Sequence, residues 1–212
     1  MVDMQIDLLS ATLRDEIIAA QLREFLPPLG LTERSIRIWI DGSQPPVRRI
    51  FELQLLKGAS MKASWGFSLD FVPHISGGRV RWHRSDKSAM LDVIIDPRHL
   101  PTPSFLHGSE HLAADLRKLL PEAVAKAQES WIKGSTFHGM LDIIREIREH
   151  NTNPNCFGFY NYSQLPLAYA FLSAKVGDMQ SAEQEIELYV TSRKLDDDEA
   201  STLKQSVRNC AG

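Results

Sequence analysis

Cysteine is nearly absent from this chain. Of 212 residues only Cys156 and Cys210 are cysteines, and neither belongs to a Cys-x-x-Cys pair or a Cys/His cluster. That excludes a disulfide framework and a thiolate zinc site, and it predicts reduced thiols in a cytoplasm. No apolar run approaches the ~18 residues that a membrane span requires. The N-terminal MVDMQIDLLSATLRDEI carries acidic residues where a signal peptide needs basic ones. Neither sign of charge is in large excess, with 24 basic against 27 acidic residues for a net of −3. Without a global positive field, nucleic acid is an unexpected partner and an anionic membrane is not expected at all. Glycine-rich phosphate loops, nucleophile–base pairs, internal repeats and low-complexity segments are also missing. The expectation is a cytoplasmic protein with no cofactor and no bound metal.

What is present is a strong alternation between Val47 and Ile75. Phe51, Leu53 and Leu55 alternate with Glu52 and Gln54, and Trp65, Phe67, Leu69 and Phe71 alternate with Ser68 and Asp70. Only an extended strand sets i, i+2 and i+4 on one side, so these are two strands with one apolar face each. The Gly-led link Gly58-Ala59-Ser60 predicts an antiparallel hairpin, with Ser68 and Asp70 on its wet side.

Upstream, Ile6, Leu9, Leu13 and Ile17 predict a helix over 5–26, stopped by Pro27-Pro28. Ser35 to Asp41 alternates Ile36, Ile38 and Ile40 against Arg37, Trp39 and Asp41, which reads as a first strand. Downstream, RVRWHR from Arg79 and AMLDVIID to Asp96 complete a five-strand meander with one covered and one wet face. After a proline-rich crossover, Ser109 is a candidate N-cap for a helix that Pro121 should kink or restart. Leu141, Ile144 and Ile147 mark the next helix, and two more follow near 164–175 and 181–194, with a last one near 199–207. The predicted fold is α+β: an antiparallel sheet of about five strands, an N-terminal helix and a helical C-terminal half. It reads as a single domain over 1–212, with helix and sheet in 1–96 and the helical part in 97–212.

The exit Leu26-Pro27-Pro28-Leu29-Gly30-Leu31, followed by FELQLLKGASMKASWGFSLDF, resembles the bacterial family called domain of unknown function 4304. That family is uncharacterised, so the resemblance, which covers roughly the first hundred residues, implies no known activity, cofactor or catalytic residue.

Three groups of residues are candidates for chemistry. Asp41, Glu52 and Gln54 spell D-x10-E-x-Q, similar to a degenerate PD-(D/E)xK nuclease pattern, with Ile40 in place of proline and Gln54 in place of lysine. Two carboxylates on adjacent strands can hold Mg²⁺ and activate water. His107-Gly108-Ser109-Glu110-His111 spells H-x-x-E-H, but Gly108-Ser109 interrupts the helix that motif needs, so a capped helix start is the expected reading. Arg37, Arg79, Arg81 and His83 are placed by alternation on the open sheet face with Glu52, Asp70 and Asp92, where cross-strand charge pairing is the expected reading and an acidic or phosphate ligand, with Trp39 as apolar anchor, the alternative. A fourth group is a candidate contact surface rather than a chemical site, with a plug in the seam between sheet and helices as the equal alternative for its aromatics. It is the loop NTNPNCFGFYNYS, where Phe159 and Tyr160 stand among small polar residues. These features predict a non-enzymatic binding or interaction protein, its partner another protein or a second copy of the chain. A metal-dependent hydrolase using Asp41 and Glu52 is the alternative.

Overall fold

The computed structural model describes residues 9–41, 46–77, 79–82, 85–97, 99–150 and 164–211. Ser10 accepts the amide of Leu13 at 3.2 Å and so caps the first helix, α1, over Ala11–Phe25. Seven strands follow among the described residues: β1 (Thr32–Ser35), β2 (Ile38–Ile40), β3 (Val47–Leu56), β4 (Ser60–Leu69), β5 (His74–Ser76), β6 (Arg79–Arg81) and β7 (Val93–Ile95). Five more helices follow among the described residues: α2 (Ser109–Lys133), α3 (Phe137–His150), α4 (Gln164–Lys175), α5 (Met179–Arg193) and α6 (Asp197–Cys210). The class is α+β, with a five-stranded antiparallel sheet in the order β1-β2-β3-β4-β7. Among the described residues, no helix is long and apolar enough to cross a membrane.

Gly58 (φ 83°) and Ala59 (φ 56°) are both left-handed. Consecutive positive φ values give a hairpin turn the twist of its flanking strands, which is why β3 and β4 close over so short a link. Elsewhere the strand pairing departs from the predicted meander. The segment read as one strand over 35–41 is a hairpin in which β1 ends at Ser35 and β2 begins at Ile38, with Ile36 left 38% exposed. RVRWHR does not join the main sheet. Its β6 pairs with β5 in a separate two-stranded ribbon, and β7 takes the place beside β4. Pro121 does not restart the helix, because α2 runs through it from Ser109 to Lys133, although without an N–H it cannot make the i→i−4 hydrogen bond at that position.

By contact density the chain divides into two units, Met1–Gln44 with Arg49–Gly66 and Ile95–Glu129, and Pro45–Arg48 with Phe67–Ile94 and Ser130–Gly212. In the first unit Phe51 and Trp65 stack with ring centroids 6.3 Å apart, and α1 buries Ile18, Ala19 and Leu22. The crossover is tied to the β3–β4 turn by Phe105 N donating to Ala59 O at 3.0 Å, and Arg14 lies over the Phe105 ring. Trp39 and Phe51 are cross-strand partners, as are Ile40 and Ile50, and all four are buried. Adjacent partners point to opposite faces, so both faces of the sheet are covered here, not one.

In the second unit α4 is buried from Gln164 to Ala174 and packs against α3, α5 and α6. A helix that is apolar on all sides belongs at the centre of a bundle. Ser68, expected on a wet face, is fully buried, and its hydroxyl accepts the amide of Met90 at 3.3 Å. Asp92 is fully buried as well. Its carboxylate accepts from Leu69 N at 2.6 Å and from Gln164 Nε2 at 2.9 Å. Gly134, just beyond α2, sits against the Phe67 ring, which leaves no room there for a side chain.

Candidate functional site

The register of β2 on β3 decides the proposed carboxylate site. Ile38 pairs with Glu52 and Ile40 with Ile50, and Asp41 N donates to Arg49 O at 3.0 Å. Asp41 therefore stands opposite Arg49, three residues from Glu52. An odd offset on a strand means opposite faces. Asp41 is also already engaged, since Arg49 donates to its Oδ2 from Nε at 3.0 Å and from Nη2 at 2.6 Å. Glu52 faces Gln54, whose Nε2 donates to it at 3.5 Å. The structure thus keeps Glu52 and Gln54 together and separates Asp41 from both. Arg37, Glu52 and Gln54 line a shallow cleft of about 320 Å³ together with Ser35, Ile38, Leu53 and Leu55. Among the described residues no group of three His, Cys, Asp or Glu side chains is placed to hold a metal.

Trp39 is no surface anchor. It is 3% exposed, because its side chain follows Phe51 into the core rather than the polar alternation of its neighbours. Asp70 and Asp92 are not open ligands either. Asp70 and Asp86 both pair with Arg48, whose side chain is 5% exposed. Burial works against the Arg48 charge, but hydrogen bonds and attraction from Asp70 and Asp86 more than offset it and hold its pKa above the ordinary arginine value.

His107 and His111 are exposed, their rings 6.1 Å apart. Gly108 (φ 89°) breaks the backbone between them, so α2 opens at Ser109 and His107 lies outside its register. Cys210 is buried, which pushes its thiol pKa up and disfavours the thiolate. His83, Phe159, Tyr160 and the whole 151–163 loop lie outside the described residues, as does Cys156.

Arg79 and Arg81 form the open group. On the ribbon, Arg79 pairs with Ser76, Val80 with Ile75 and Arg81 with His74. Alternation sets Arg79, Arg81, His74 and Ser76 on one face and Val80 with Ile75 on the other. Just past β6, Trp82 meets the buried Phe171 edge-on with centroids 6.3 Å apart. Val80 N donates to Glu199 Oε2 at 2.9 Å, which fastens the outer edge of β6 to the first turn of α6. Both arginines are exposed, and among the described residues no carboxylate pairs with either. Sequence reasoning picked out these arginines but missed Glu199, which holds their strand from far along the chain.

One further polar group went unnoticed in the sequence. Glu185 on α5 is 2% exposed. Its Oε2 lies 3.2 Å from Arg148 Nη1, and its Oε1 has no hydrogen-bond partner. Burial raises its pKa above the ordinary glutamate value, and Arg148 offsets only part of that.

No protein-family model, curated protein or solved structure matches this chain.

Proposed function

We propose that the chain is a non-enzymatic, cytoplasmic interaction protein that holds an acidic protein segment on the outward face of its β5–β6 ribbon. The observation that carries this reading is the pair Arg79 and Arg81, exposed on one ribbon face with no carboxylate partner among the described residues. Planar guanidinium groups two residues apart on a strand match carboxylates at the same spacing on an extended partner. Two arginines are too few for a nucleic-acid footprint, which typically neutralises about 6 to 10 phosphates. The net charge of −3 works against one as well. The separation of Asp41 from Glu52 takes away the support for the hydrolase alternative.

The test is fluorescence anisotropy with a labelled hexaglutamate peptide at low salt. The wild type binds, and Arg79→Glu with Arg81→Glu weakens binding by about 2- to 30-fold, the range for two exposed ion pairs at ~0.2–1 kcal/mol each. Lys118→Glu, an exposed charge on α2, is the control and leaves affinity unchanged. Equal affinity of the double variant and the wild type would overturn the reading.

A further inference from the structure

We infer that the acidic partner of the ribbon is a second copy of this chain, a step that rests on the reading of Arg79 and Arg81 as a docking face. The acid lies next to the base. Asp196, Asp197 and Asp198 are exposed at the start of α6, and Asp196 Oδ1 accepts the amide of Glu199 at 2.8 Å and so fixes that turn. Glu199 in turn reaches the backbone of Val80 between the two arginines. The strand that carries Arg79 and Arg81 and the helix turn that carries Asp197 and Asp198 are therefore neighbours.

Such a patch is self-complementary. A twofold axis between strand and turn sets the arginines of each copy against the aspartates of the other, so every pairing forms twice and the interface closes. Glu199 also blocks the outer edge of β6, which leaves side-chain pairing rather than strand addition as the mode of contact.

Sedimentation velocity on the full chain over about 1 to 200 µM tests this, a range in which a micromolar dimer would show itself. The wild type shifts from monomer to dimer with concentration, and about 0.5 M salt weakens the shift by screening. Arg79→Asp with Arg81→Asp stays monomeric, as does Asp197→Arg with Asp198→Arg. Mixed in equal amounts, the two variants restore the dimer, because each charge-swapped group meets its complement. Asp197→Asn with Asp198→Asn, which keeps the Asp196 cap and the Glu199 bond, stays monomeric too and covers the case in which the arginine swap unfolds α6. A wild type that is monomeric throughout overturns the inference, as does a dimer that survives both swaps. If hexaglutamate still binds while the chain stays monomeric, the ribbon reading stands and its partner is another acidic protein. If both assays fail, the ribbon reading falls with it.

Discussion

Replacing Gly134 by alanine sets two known effects against each other. Gly134 donates its amide to Ser130 O at 2.8 Å, so it continues the helical hydrogen bonding of α2. Alanine in such a position normally stabilises by roughly 0.5–1 kcal/mol, since glycine loses more freedom on folding. Here a Cβ would fall 2.5 Å from Phe67 Cε2 and 3.2 Å from Ile143 Cδ1. Phe67 is 1% exposed and Ile143 6%, so neither can swing into solvent. Overpacking of this kind costs about 1–3 kcal/mol. The steric cost wins, and Gly134→Ala should lower stability by about 1 kcal/mol, or the unfolding midpoint by roughly 2–4 °C for a chain of this size. The decisive assay is a double-mutant cycle with Phe67→Leu, followed by thermal unfolding. Phe67→Leu shortens the side chain that blocks the site, so in that background Gly134→Ala should become neutral or stabilising. The coupling between the two positions should be positive and about 1–2 kcal/mol. If Gly134→Ala stabilises the wild type, or has the same effect in both backgrounds, the Phe67 ring does not occupy that space.

Two other substitutions bear on the buried polar groups. Ser68→Ala removes the acceptor of the Met90 amide and should cost about 1 kcal/mol by chemical denaturation; no change would mean that the amide finds water instead. Glu185→Gln bears on pH. The raised pKa means that the folded state holds this proton more tightly than the unfolded state. Its contribution to stability is therefore greatest at low pH and is lost as pH rises from the ordinary glutamate range through the folded value. The variant should melt above the wild type at pH 7.5 and lose that advantage near pH 4. An advantage independent of pH would show that Glu185 does not titrate in this window.

Much of the fold was legible because burial and periodicity coincide. Phe51 and Leu53, then Trp65, Phe67 and Leu69, alternate in the sequence and are buried in the structure, and Leu141 and Ile144 mark the inner side of α3. Where the reading failed, the same alternation was compatible with two arrangements. Ile36 keeps the period of Ile38 and Ile40 yet lies in a turn at 38% exposure, since periodicity does not distinguish a strand from a tight hairpin whose turn preserves the pattern. The polar positions Arg48, Ser68, Asp70 and Asp92 alternate as a wet face would, but most of that face is covered and its groups are satisfied in pairs. Asp92 finds Gln164 at a separation of 72 residues, a partner that no local pattern announces.

The candidate site shows the same limit more sharply. Whether Asp41 and Glu52 share a face depends on register alone. With Ile40 opposite Ile50 they do not, and a slip of one residue would have joined them. The spacing D-x10-E holds no information about that slip, so the motif was never sufficient evidence for a metal site. The ribbon differs because its reading needs only the alternation within β6. Arg79 and Arg81 share a face whatever strand lies beside them, and Val80 takes the other. What alternation could not supply was the neighbour. Glu199 reaches Val80 across 119 residues of sequence and brings the acidic turn of α6 to the basic strand. A helix that opens on three consecutive aspartates looks, in isolation, like favourable charge at a helix N-terminus, and Asp196 does serve as its cap. Set beside two arginines with no carboxylate partner among the described residues, the same aspartates become the other half of a surface that complements its own copy.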